Sequence, residues 1–172
     1  PLPTSKEGFS SIMTIIDRST RWVEAVPLSS TTADSCATAL VQAWISRFGV
    51  PAAITSDRGP QFAGAVWAAL CKQMGVHHIQ TTAYHPQSNG MVERFHRQLK
   101  AALIARNCGA DWSSHLPWVM LGLRDAPKDD SGLSSAELVY GCKLVLPGEL
   151  PPPLEPASEV VPPQPPPPPS TR

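Results

Sequence analysis

Eleven of the chain's twenty prolines fall between Pro151 and Pro169. Such a run lacks backbone donors and fixes its own backbone angles, so it forms neither a helix nor a central strand. It reads as a polyproline-type, solvated extension. This divides the chain into a folding unit, residues 1–146, and a proline-rich disordered tail, residues 147–172. The tail suits grooves of the SH3 or WW type as well as a free end without a partner. Everything that can bury a core must come from the first 146 residues, which is one domain by the usual prior of about 100–200 residues each.

Composition of the whole chain excludes several classes. Fourteen Lys and Arg balance fourteen Asp and Glu, so any nucleic-acid partner must be held by a local patch and not by bulk charge. Cys36, Cys71, Cys108 and Cys142 stand far apart with no CxxC pair. That spacing argues against a zinc module and a disulfide framework, and fits a reducing compartment. No apolar run approaches the roughly 18 residues of a membrane span. The chain opens on "PLPTSKEG" without a Met or a signal-peptide pattern, and reads as a piece of something longer.

The order of elements is then legible. "SSIMTIIDRS" and "RWVEAVPL" read as two strands joined by a tight turn near Arg18–Thr20. "STTADSCATALVQAWISRFG" reads as a helix with a polar cap at its start and Gly49 just past its end. Ala37, Leu40, Val41, Trp44 and Phe48 are expected on one face of it. "VPAAITSD" is a buried strand ending at Asp57, "GPQFAGAVWAALCKQMG" a helix, and "VHHIQTT" a short strand. A helix from about Ser88 to Arg106 follows. "ADWSSHLPWVMLGLRDA" and "SSAELVYG" are two more helical segments. The order ββαβαβααα argues a mixed α/β sheet flanked by helices.

Two carboxylates stand out in this frame. Asp57 ends a strand, and in open α/β sheets ligands gather beyond the carboxyl ends of strands. Glu93 lies in the first turns of the later helix, with thirty-five residues between it and Asp57. Two carboxylates brought together repel unless a cation lies between them, and hard oxygen donors suit Mg²⁺ or Mn²⁺. At about 100° per residue, Glu93, Arg97 and Lys100 form one stripe, with Val92, Phe95, Leu99, Ala102 and Leu103 on the core side. A plainer reading stands beside this one. Glu93 complements the helix macrodipole with Arg97 as an i,i+4 partner, and Asp57 caps the turn "SDRGP". The four histidines from His77 to His96 have no usual zinc spacing.

"TIIDRSTRWVEAVPL", "ITSDRGPQF", "TTAYHPQSNGMVERFHRQLK" and "SSAELVYG" together resemble the integrase core of LTR retroelements, especially the Ty3/gypsy class related to retroviral integrases. The resemblance covers about residues 1–146. It implies a ribonuclease H-like fold and polynucleotidyl transfer in DNA integration: 3′-end processing, then strand transfer into target DNA. It implies Asp57 and Glu93 as catalytic, metal-holding residues of a D,D-35-E set using Mg²⁺ or Mn²⁺. It also implies that Tyr84, Gln87 and Asn89 touch terminal nucleotides, and that Arg97 and Lys100 hold element-end DNA. The resemblance also implies homodimers or tetramers, and a nuclear location is the expectation from a DNA substrate.

The family's first Asp lies on a strand preceding a "GPLP"-like turn. Asp17 matches a non-catalytic position on the next strand. The expectation is therefore a sheet lacking its first strand, a metal set lacking one ligand, and no end processing by the chain as given. A domesticated or decayed derivative that binds DNA or a protein partner without catalysis is the alternative.

Overall fold

The structure is a computed structural model in which residues 2–81, 90–128 and 131–149 are described. β1 (Ser11–Ile16) and β2 (Val23–Leu28) form an antiparallel hairpin, with Ser11 opposite Leu28 and Ile16 opposite Val23. The turn between them is built by Asp17, whose carboxylate accepts from the Thr20 amide at 2.8 Å and the Thr20 hydroxyl at 2.7 Å. Arg21 closes it in a left-handed conformation, φ 60°.

α1 (Ala33–Leu40) starts at Thr32, whose side chain accepts from the Ser35 amide. It runs on through a π-helical turn (Val41–Ile45) into α2 (Ser46–Phe48), which stops at Gly49. The wider turn rotates the face that follows. Val41 and Phe48, expected inside, are each 41% exposed, while Cys36 and Ala39 join Leu40 in the core. β3 (Ala53–Ser56) leads to α3 (Pro60–Ala63) and α4 (Ala65–Met74). The single helix expected here is cut in two at Gly64, whose backbone is extended. Gly75 ends α4 in the left-handed region, φ 70°, and β4 (His77–Gln80) then pairs parallel with β3.

α5 (Gly90–Ala105) and α6 (Trp112–Asp125) follow. α7 (Ser135–Tyr140) opens on a complete capping box, Ser134 with Glu137. The order ββαβαβααα is thus the one expected.

Helices cover both faces. Ile12, Ile16, Val23 and Ala25 pack with Phe95, Leu99 and Leu103 of α5 and with Trp112, Leu116, Val119 and Met120 of α6. Met13, Ile15, Val26 and Leu28 turn the other way, onto Cys36, Ala39 and Leu40 of α1 and Trp67 and Cys71 of α4. Ile54 of β3 reaches this second cluster too. The mixed sheet is therefore present as two halves that share one core. Among the described residues no strand joins β1 to β3, and the sheets are β1-β2 and β3-β4.

One buried node ties β2 to the helices. Glu24, 5% exposed, accepts from the Trp22 indole at 2.8 Å. It also pairs with Arg124 of α6 at 2.6 Å and with Arg47 of α2 at 2.8 Å. Apolar and polar side chains alternate in "RWVEAVPL", with Glu24 at one of the polar positions. The tertiary partners, distant in sequence, are what bring it inside.

Candidate functional site

Asp57 follows directly on the last residue of β3, and the turn after it is fastened by its own atoms. The Asp57 carboxylate Oδ1 accepts from the Gly59 amide at 2.9 Å. This is the turn-capping role considered above, and it leaves the second carboxylate oxygen outside that bond. Asp57 is exposed.

β4 holds the same turn from one side. The Thr81 amide donates to the Ser56 carbonyl at 2.9 Å. Arg58 Nε donates to the Thr81 carbonyl at 3.1 Å, and Gln80 Nε2 donates to the Phe62 carbonyl at 3.2 Å. The Ser56 hydroxyl donates to the Asp57 carbonyl at 2.8 Å and lies 2.9 Å from His78 Nε2. Burial lowers the His78 pKa, so the ring favours its neutral form. His78 and Ser56 were not singled out from sequence. The cue was the parallel register itself, which sets Ile54 opposite His78 and Ser56 opposite Gln80.

Glu93 lies in the first turn of α5, on its exposed side with Arg97 and Lys100. Phe95, Leu99 and Leu103 form the buried face, and Ala102 packs against the same cluster. The stripe computed from helical geometry is the one observed. Among the described residues none of Glu93, Arg97 and Lys100 takes part in an ion pair. The i,i+4 pairing of Glu93 with Arg97 is therefore not formed. α5 is tied to β1 by His96, whose Nε2 lies 2.8 Å from the Thr14 hydroxyl. Burial lowers the His96 pKa, against the opposing pull of Glu93.

The two carboxylates thus belong to different halves of the sheet. Asp57 belongs to the β3-β4 half, and Glu93 to the helix tied to the β1-β2 half. Among the described residues no three His, Cys, Asp or Glu side chains gather as a metal site. Asp17 is spent on the hairpin turn. Tyr84, Gln87 and Asn89 lie outside the described residues, as does the tail from residue 150 onward.

A family profile described as "Integrase core domain" matches residues 1–86, half of the sequence. The chain belongs to the integrase core domain family. Among its relatives is the Gag-Pol polyprotein of avian reticuloendotheliosis virus, 38% identical over 142 residues, which is 81% of this chain and 12% of that protein. The Gag-Pol polyprotein of koala retrovirus is 34% identical over 157 residues, 90% of this chain and 9% of the relative. This integrase core chain therefore spans about a tenth of the length of these polyproteins. The catalytic core domain of BIV integrase has a TM-score of 0.63 at 30% identity, covering 74% of this chain and 83% of that one. The HTLV-2 integrase catalytic core, solved in complex with magnesium, has a TM-score of 0.60 at 17% identity, covering 74% and 90%. The second likeness speaks for the fold alone. It agrees with the ribonuclease H-like architecture expected from sequence.

Proposed function

We propose that this chain is the polynucleotidyl-transferase core of an integrase, acting on DNA ends, with Asp57 and Glu93 as two ligands of a divalent-metal site. What supports the reading is a strand-end carboxylate and, thirty-five residues on, a helix-start carboxylate on the same helix side as two cations that form no ion pair among the described residues. The donors fit Mg²⁺ or Mn²⁺ by type: both are hard carboxylates, and among the described residues neither is spent in an ion pair. When bound, such a cation activates the attacking oxygen and neutralises charge on the phosphate. Glu93 and Asp57 hold negative charge at the site. Arg97 and Lys100 carry matching positive charge along α5, where they hold DNA phosphates and fix the register of the strand. Phosphate contacts of this kind position the substrate and do not read its sequence.

The donor set falls short in number. The resemblance implies a third carboxylate, and among the described residues none joins these two. Without it we expect weak metal binding and no processing of DNA ends by these 172 residues. This favours, as the second reading, a DNA-binding derivative that has lost catalysis. Element ends and target DNA are the proposed partners, within a homodimer or tetramer in the nucleus. An SH3- or WW-type domain is the proposed partner of the proline-rich tail.

The test combines end processing in Mg²⁺ or Mn²⁺ with DNA binding across a salt series. Binding without processing is expected. Arg97→Ala is expected to weaken binding of all sequences alike and to lower the salt slope by about one. Processing that is abolished by Asp57→Asn would overturn the inactive assignment. An unchanged slope in Arg97→Ala would remove the cationic stripe from the DNA contact.

A further inference from the structure

Among the described residues β3 pairs with β4 alone. The turn that carries Asp57 is held from β4 and from within. The hydrogen bonds described above converge on this turn, and one of them constrains a proton. The Ser56 hydroxyl has a single hydrogen and gives it to the Asp57 carbonyl, 2.8 Å away. It can then only accept from His78 Nε2 at 2.9 Å. The His78 ring is further held by an edge-on contact with Trp67, centroids 6.0 Å apart, and Trp67 is 1% exposed. The chain of contacts runs from the core through Trp67, His78 and Ser56 to the backbone of Asp57.

We propose that His78, carrying its proton on Nε2, is the positioning residue for Asp57. Ser56 is the relay between them. Its hydroxyl fixes the peptide plane that follows Asp57, and the Gly59 amide then finds the carboxylate at 2.9 Å. The carboxylate therefore points where β4 and the core direct it, although among the described residues β3 has no second partner strand. The catalytic significance of this arrangement rests on the metal-site reading above; the geometry itself does not.

Two measurements on the full chain test the proposal. Long-range ¹H–¹⁵N spectra of the labelled histidines read the tautomer, and the expected pattern for His78 is Nε2–H. Amide exchange at Gly59 then reports how firmly the turn is held. His78→Leu keeps the bulk against Trp67 but removes the donor, and is expected to speed Gly59 exchange about fivefold. His78→Gln, which retains a side-chain N–H, is expected to restore the native rate within about twofold. An Nδ1–H tautomer, or equal exchange in the Leu and Gln variants, would overturn the proposal. A native chain with the expected tautomer and exchange but no Mn²⁺-induced broadening at Asp57 would remove the metal reading alone. Mn²⁺ bound at Asp57 with an Nδ1–H His78 would remove this inference alone.

Discussion

Glu24 is a carboxylate taken almost out of water and compensated from two sides by guanidinium groups. Removing one partner of a buried pair costs more than the pair contributes, because a charge is left behind. Glu24→Ala strands Arg124, whose side chain is 19% exposed. Arg124 also lies over the Trp22 ring at 4.5 Å and donates to the Val23 carbonyl. The expected loss is about 3 kcal/mol by urea unfolding. Arg47 is 47% exposed, and Arg47→Ala is expected to cost under about 1 kcal/mol. Equal losses in the two variants would refute this ranking. Asp17 gives a dependence on pH at the same scale. Burial works against its charge, but bonds from the Thr20 hydroxyl and from the amides of Thr20, Ser19 and Arg18 outweigh that, and its pKa is lowered. A carboxyl depressed in the folded state contributes stability above its unfolded pKa of about 3.9, and loses it as pH falls through the folded value. The stability gap between the native chain and Asp17→Asn should therefore be full near neutrality and close on acidification below about pH 4. Urea midpoints across that range check it, and a gap that widened in acid would refute the assignment.

At the scale of elements, α7 is a test of how a short helix survives. Its six residues are too few to be stable alone. Ser134 Oγ accepts from the Glu137 amide at 3.1 Å, and Glu137 Oε2 accepts from the Ser134 amide at 2.8 Å. Ser134 is fully buried, and Ser135 donates to the Arg124 carbonyl. Ser134→Ala is expected to lower stability by about 1–2 kcal/mol, and Glu137→Ala should cost less than that again when added to it. Additive losses in thermal unfolding would show the two halves of the box to be independent. α5 shows the opposite balance. Its sixteen residues divide into a buried apolar face and an exposed charged stripe, so both its fold and its candidate site follow from one periodicity. The first long helix broke that periodicity because a π-helical turn is not encoded by apolar spacing.

At the scale of the whole molecule this is an α/β unit whose described strands form two separate pairs, β1-β2 and β3-β4. The cluster against α1 and α4 takes Met13, Ile15, Val26 and Leu28 from one half-sheet and Ile54 from the other, so packing on that face holds together what backbone pairing does not. Unpaired edges are solvated and exchange their protons. The amides of β1 that point away from β2 should exchange faster in hydrogen-exchange NMR than those that point toward it. Equal protection would mean that another strand, from a second copy or a folded-back segment, fills the gap. Pairing along these edges would also make association depend on concentration, which sedimentation reads directly.

The sequence by itself determined the order of elements, the faces of α5, the caps of α1 and α7, and the two carboxylates with their cations. These rest on local rules: side-chain period, capping chemistry and the position of an acid at the end of a strand. A family resemblance extended them to a fold and a chemistry. Only the tertiary structure decided that Glu24 is buried, that the described strands form two separate pairs, and that the Ser56 hydroxyl sits between His78 and the Asp57 carbonyl. Each of those depends on residues far apart in the chain meeting across a core, and no local period records which partner arrives there.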